Sequence, residues 1–270
     1  MGKGIFIRAQ KVYLNLNSSG LLIVANILIP DVINILIINL LNCCYTNVDL
    51  VSNDQFLVNY TSITDLDLTE YGIKQMKATG VALIGTNSSN LIQAQDLKLV
   101  ISSPRTRAIH TRDLLLESLS SDEKAHIQFD IDNDIREWDY GDYEGLKTNE
   151  ILELRESRGL GSDWDIWSKG CENGEDYMQI TKRVDTVIDR IRTVHRKALE
   201  AGEACDVLVV GHGHILRCFA ARWLKREINQ NPQLILDAGG VGVLSYQHNN
   251  IDEPALSLSG AFVVNEDDIS

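Results

Sequence analysis

From residue 69 onward the apolar positions of this chain fall into two kinds of block, short runs of strand length and longer stretches with helical period, and the two alternate. The sharpest is DVLVVGHGHILR, residues 206–217. Val207 to Val210 are four consecutive apolar, mostly β-branched residues that stop at Gly211, which predicts a strand buried on both faces. Ile215, Phe219, Ala220 and Trp223 then recur at helical spacing, so 211–213 is a strand-to-helix turn with His212 at the strand's carboxyl end. Ligands of open α/β sheets gather at such ends, and the free amides of the next helix favour an anion.

The same reading predicts a helix over 69–84 capped by Thr69, with Ile73, Met76, Gly80 and Leu83 on one face. A buried strand follows at 97–101, then a helix opened by Pro104 and running to 119, and a strand at 127–131. A short helix is expected over 148–157 and a long one over 175–199, with Ile180, Val184, Val187, Ile191, Val194 and Ala198 as its stripe. Two apolar runs flank AGGVG between 234 and 246, and Ile5 to Ile7 before Arg8 reads as a first strand. Strands alternating with helices predict an α/β fold of three layers, α/β/α, around a mostly parallel central sheet.

Residues 11–53 break this pattern. They are dominated by Ile, Leu, Asn, Val and Tyr, and 21–41 contains no Lys or Arg. Three readings are open: a membrane span, a strand, or translated non-coding sequence. Asn26, Pro30, Asp31, Asn34 and Asn39 argue against a span, since one aspartate near a helix centre costs roughly 2.5–3.5 kcal/mol on insertion scales. The Ile, Asn, Leu, Lys and Tyr bias of AT-rich DNA fits the third reading best. The domain expectation is therefore a first strand in 1–10, an anomalous insertion over 11–53 that is either translated intron or, if retained, poorly ordered or packed as an appendage, and one catalytic domain over 54–270.

Composition narrows the partners. With 38 acidic and 25 basic residues the net charge is −13, which repels nucleic acid and anionic lipid, so an anionic substrate must be drawn in by local arginines. Five scattered cysteines form no disulfide framework, and a reducing cytoplasmic setting is expected. A homo-oligomer is left open.

Single residues are ambiguous. Arg107, one turn into the helix after strand 97–101, either points at the sheet edge that carries His212 or is a solvated helix arginine. Glu137 lies beside Trp138, where burial would raise its pKa and suit it to act as an acid; otherwise it is a loop carboxylate. His212 and His214 have no third ligand at a familiar spacing, so no metal is expected. The glycines from 239 either bring amides to a phosphate or make a tight turn.

Six segments together resemble a known family: YTSITDLDLTEYG (60–72), SSPRTRA (102–108), REWDYGDYEG (136–145), WDIWSKGCENGE (164–175), GHGHILR (211–217) and DAGGVGVLSYQHNNIDEPAL (237–256). They resemble the histidine phosphatase superfamily, also called phosphoglycerate mutase-like, and within it the sedoheptulose 1,7-bisphosphatase branch. The resemblance implies a phosphoglycerate mutase-like fold and a phosphatase that needs no cofactor or metal. In that family a first-strand histidine attacks phosphorus to form a phosphohistidine. Arginines and a second histidine clamp the phosphoryl oxygens, and a glutamate protonates the leaving alkoxide.

By motif match Arg8 and Arg107 are the clamp, His212 the second histidine and Glu137 the acid. Tyr60, Thr61, Tyr140, Arg217, Gly239 and Gly240 fall where the family contacts a sugar phosphate. IFIRAQ (5–10) departs from the pattern, because either Ala9 replaces the nucleophilic histidine or that histidine is missing before Ala9, and all six histidines lie beyond residue 100. Losing a covalent nucleophile slows catalysis by on the order of 10⁶. The alternatives are a sugar-phosphate-binding pseudo-phosphatase and a mutase-like enzyme.

Overall fold

The computed structural model describes residues 33–39, 59–236 and 239–258, and within 33–39 the side chain of Ile35 alone. Its elements in chain order begin with β1 (Ile33–Asn39), α1 (Glu70–Leu83), β2 (Ile84–Gly85), β3 (Ile92–Gln93) and β4 (Leu97–Ser102). Next come α2 (Thr106–Leu115), α3 (Ser121–Lys124), β5 (Gln128–Ile131), α4 (Thr148–Ser157) and α5 (Ile166–Lys169). The chain continues with α6 (Tyr177–Ala201), β6 (Cys205–Gly211), α7 (Gly213–Trp223), β7 (Val241–Tyr246) and β8 (Pro254–Ser257).

The main sheet has six strands in the order β5-β4-β6-β1-β7-β8. β5, β4, β6 and β1 run parallel, while β7 pairs antiparallel with β1 and β8 antiparallel with β7. The period of two along β6 divides the core. Val207 and Val209 face one cluster with Ile180, Val184, Val187 and Ile191 of α6 and Ile215 and Phe219 of α7. Leu208 and Val210 face the other, with Ala108 and Leu115 of α2 and Leu83 of α1. Helices thus cover both faces of the sheet, the three-layer α/β/α arrangement expected from the sequence.

Local signals explain several boundaries. Thr69 caps α1 by accepting from the Gly72 amide at 3.0 Å. Asp176 opens α6 with a reciprocal capping box, and Gly202 closes it at φ +67, a left-handed position suited to glycine. The helix expected to reach 119 ends at Leu115, and of the two apolar runs in 234–246 only Val241–Tyr246 forms a strand.

The expectation for residues 11–53 needs correction at one place. Ile33–Asn39 is not an appendage: it is the strand between β6 and β7, paired from Ile33↔Cys205 to Asn39↔Gly211. The reason is physical. β6 is buried along its whole length, and without a neighbour on this side its backbone groups would be unpaired in the interior. INILIIN, apolar and rich in β-branched residues, fits that slot. The first strand expected at 5–7, with Arg8, lies outside the described residues. Among the described residues no helix is long and apolar enough to cross a membrane.

If β1 is part of the core, Ile35, fully buried, matters to stability. Ile35→Ala is expected to lower the unfolding free energy by about 2–5 kcal/mol in a urea titration. A change below about 0.5 kcal/mol would mark the strand as an appendage after all.

Candidate active site

The carboxyl ends of β4 and β6 are neighbours, and the Ser103 amide extends their pairing by donating to the Val210 carbonyl at 3.0 Å. His212 follows β6 as the residue before α7, in extended conformation and almost wholly buried. Arg107, in the first turn of α2, is also buried and donates from Nε to His212 Nδ1 at 3.3 Å and from Nη1 to the Thr64 carbonyl at 3.1 Å. A guanidinium only donates, so Nδ1 must accept and the ring proton sits on Nε2, facing Ser103 Oγ at 2.7 Å. Burial, and then the charges of Arg107, Arg105 and Arg183, push the His212 pKa well down, which keeps the ring neutral.

Glu137 reaches the same edge from the loop after β5. Its Oε1 accepts from the amides of Trp138 and Ile215, both at 2.9 Å, and its Oε2 from His214 N at 3.2 Å. The carboxylate therefore satisfies free amides at the start of α7. Desolvation raises its pKa, with the three amides and Arg107 pulling the other way. Oε1 already carries two short bonds, which leaves Oε2 as the oxygen free to hold a proton.

Aromatic rings pack against the same region. The His214 ring stacks on Tyr60 with centroids 5.6 Å apart, and its Nδ1 lies 2.9 Å from the Tyr140 hydroxyl. Arg217 lies over the Trp167 ring at 4.6 Å, with its Nε buried and without a hydrogen-bond partner. Its pKa is lowered by burial, opposed by charges that include Glu137, Tyr60 and Tyr140. Tyr60 N donates to the Leu146 carbonyl at 2.9 Å, while Thr61 Oγ1 turns back to the Asn59 carbonyl at 3.4 Å. Gly239, at φ +69, lies against Gln75 and Met76 of α1, where a Cβ would be only 2.6 Å from Gln75 Nε2. Among the described residues, no hydrogen bond places Gly239 or Gly240 in the Arg107–His212–Glu137 cluster.

What holds the Glu137 loop in place escaped the sequence reading. Glu175 takes a two-pronged contact from Arg183, Nε to Oε1 and Nη2 to Oε2, each at 2.9 Å. Arg183 Nη1 donates onward to the carbonyls of Asp134 and Arg136 at 2.7 and 2.8 Å, and Nη2 to the Glu137 carbonyl at 3.3 Å. Gly141 and Gly174 let the two loops touch: a Cβ at either would collide with backbone of the other loop. One signal was available, because Arg183 sits within the apolar stripe of α6 between Ile180, Val184 and Val187. Also missed were Ser103 and Arg105, whose Nε is buried and has no hydrogen-bond partner.

Residues 52–256 match the model of the histidine phosphatase superfamily, branch 1. The chain belongs to the histidine phosphatase superfamily. It is 44% identical over 238 residues to the sedoheptulose 1,7-bisphosphatase of Saccharomyces cerevisiae, covering 76% of this chain and 87% of that one. It is 31% identical over 204 residues to an acid phosphatase of Mycobacterium tuberculosis, covering 76% and 86%. The α-ribazole phosphatase from Shigella flexneri has the same fold, with a TM-score of 0.61 at 19% identity over 86% of this chain and 99% of that one. By family this phosphatase is a phosphoric monoester hydrolase.

Two tests address the phosphatase framework. Arg183→Met leaves the buried Glu175 with Arg136 Nη2 at 2.8 Å and the Asp139 amide at 2.9 Å as its remaining partners and is expected to cost about 3 kcal/mol, most of it recovered by adding Glu175→Met. Two independent, additive losses would show that the pair is not coupled.

The second test uses pH. His195 and His214 are held down to about 3 by burial and His212 well below 6.5, so the unfolded chain binds more protons than the folded one beneath pH 6.5. Stability is then fully present above that value and falls below it, by about 1.4 kcal/mol per pH unit for each histidine. His195→Gln, whose ring pairs with the Tyr246 hydroxyl at 2.9 Å, should remove about one such share of the slope between pH 6 and 5. An unchanged slope would mean that His195 is protonated in the folded state.

Proposed function

We propose that the site is that of a metal-independent phosphomonoesterase acting on sugar bisphosphates of the sedoheptulose 1,7-bisphosphate type, by a phosphohistidine route whose nucleophile this chain lacks. The observation that carries the reading is the meeting of Arg107, His212 and Glu137 at one sheet edge, in a chain 44% identical to a sedoheptulose 1,7-bisphosphatase. Arg107 and the Nε2–H of His212 hold phosphoryl oxygens, doing with fixed donors what Mg²⁺ does in other phosphoryl-transfer sites. Glu137, whose pKa burial raises, delivers a proton to the departing alkoxide. Tyr60, Thr61, Tyr140, Arg217, Gly239 and Gly240 are assigned to the sugar phosphate, and Arg8 to the clamp, on the motif match. Cys171, Cys205 and Cys218 are free thiols, in keeping with a cytoplasmic setting.

Two observations support the missing nucleophile. The strand beside His212 ends at Asn39, register partner of Gly211, and the only histidines at this edge are His212 and His214 among the described residues. His214 is enclosed by Tyr60, Tyr140 and Trp167 and bonded to Tyr140, which leaves it no path of attack. The chain as written therefore binds sugar phosphate and turns it over slowly.

The deciding comparison is between the full chain and a version lacking residues 11–52 with Ala9→His, in which residues 5–10 take the place of Ile33–Asn39 beside β6 and cooperative unfolding checks that the protein is folded. The second should release phosphate from a sugar bisphosphate faster by on the order of 10⁶. In it, Glu137→Gln should slow alkoxide release about 10²–10⁴-fold and nitrophenolate release far less, since only the alkoxide needs a proton. Equal rates for the two proteins would refute the missing-nucleophile reading, and equal losses on both leaving groups would remove Glu137 as the acid.

A further inference from the structure

In a phosphomonoesterase the acid stands beside the leaving oxygen, so the sugar and any second phosphate lie on the Glu137 side of the site. After burial, the charges that lower the His212 pKa are those of Arg107, Arg105 and Arg183. The charge of Arg217 falls instead on Glu137, Tyr60, Tyr140 and His214. Arg217 is half-buried and stands three residues beyond His214 on α7, one turn along the same face. Arg155 and Arg190 place both terminal nitrogens on hydrogen-bond partners. The Arg217 guanidinium forms no hydrogen bond or ion pair among the described residues.

What orients Arg217 is an indole. Its Cζ lies over the Trp167 ring, 4.6 Å from the centre. Trp167, on the four-residue helix α5 that Asp165 caps, is 5% exposed. Its ring meets Trp138 edge to face at 6.0 Å and His214 at 5.3 Å. Trp138 is fully buried, carries the amide that donates to Glu137 Oε1, and is tied by its own Nε1 to the Glu175 carbonyl at 2.9 Å. The indole is therefore held by the acid's loop on one side and by α7 on the other. A guanidinium carries its N–H groups in its plane, so stacking covers a face and leaves the donors free for an anion. Fixing the group before a ligand arrives removes the cost of ordering it on binding.

We infer that Trp167 is a positioning residue that holds the Arg217 guanidinium for the second phosphate of a bisphosphate, and so sets the preference of the site for bisphosphates over a single phosphate. The inference rests on the assignment of Arg107 and His212 to the phosphoryl group and of Arg217 to the sugar phosphate.

Binding tests this without turnover. Inorganic phosphate and sedoheptulose 1,7-bisphosphate are titrated calorimetrically into the full chain, Arg107→Ala, Arg217→Ala, Trp167→Met, Trp167→Phe and the double variant of Trp167→Met with Arg217→Ala, with each melting temperature recorded. Arg217→Ala should weaken the bisphosphate about 10- to 100-fold and leave inorganic phosphate unchanged. Trp167→Met should weaken the bisphosphate about 3- to 10-fold, again sparing inorganic phosphate. Trp167→Phe, which keeps a ring face, should lose less, and Trp167→Met should add nothing in the Arg217→Ala background. Should Trp167→Met fail to fold, Trp167→Phe is read in the same cycle against Arg217→Ala. A Trp167 loss shared equally by inorganic phosphate, or undiminished in the Arg217→Ala background, marks a purely structural role and overturns the inference. Parent-like bisphosphate binding by the Trp167 variants, with a loss in Arg217→Ala, also overturns it and leaves both assignments standing. Parent-like bisphosphate binding by Arg217→Ala removes Arg217 from the ligand and the inference with it, while a loss in Arg107→Ala still supports the phosphoryl site. Absence of phosphate binding in the parent, or full binding by Arg107→Ala, removes the site assignment itself.

Discussion

A carboxylate cannot remain in a protein interior without donors, and the arrangement of this site follows from how Glu137 meets that constraint. Its oxygens accept from the amides of Trp138, His214 and Ile215, so one side chain closes its own loop and satisfies the start of α7. Because α7 begins directly after His212, the same contacts that keep the glutamate buried fix its place relative to that histidine. The loop is held from behind by Glu175 and Arg183, whose guanidinium bonds the carbonyls of Asp134, Arg136 and Glu137. Removing Glu175 would leave the buried Arg183 guanidinium with backbone carbonyls as its partners and no counter-charge in contact.

The sheet imposes the second constraint. β6 is buried end to end and delivers His212, so a strand must cover each of its edges. β4 covers one and brings Ser103, Arg105 and Arg107 to the site through the turn that opens α2. β1 covers the other and arrives beside Gly211 with an asparagine. An apolar β-branched segment satisfies the backbone pairing whatever residue stands at its end. Ile33–Asn39 meets the pairing demand of this slot, and its sequence contains no histidine.

Charge at the site runs against charge on the whole. The chain carries −13, yet burial and then Arg107, Arg105 and Arg183 lower the His212 pKa and hold the ring neutral. Their effect on a ligand differs, because Arg183 is matched by Glu175 while Arg217 and Arg105 keep buried Nε donors without partners. Unmatched donors attract an anion more strongly than matched ones do, so local pairing weighs more than the net field at short range.

The chain's periodicity was enough for the three-layer architecture, the bounds of α4, the cap of α1 and the strand–turn–helix around His212, since these depend on side chains within a few residues of one another. The candidacy of Arg107, Glu137 and His212 was likewise legible, each standing just beyond a strand. What the sequence could not state was which distant partners they meet. Arg107 to His212 spans 105 positions and Glu137 to Ile215 spans 78, and nothing local encodes either contact. The roles of Ser103, Arg105 and the Glu175–Arg183 pair arise only once those segments are packed together. The residues of β1 looked foreign because their composition differs from the rest of the chain, but composition carries no information about pairing. Only the tertiary structure decided that this segment enters the sheet, because the unpaired edge of β6 that it satisfies exists only after β6 and its neighbours have assembled.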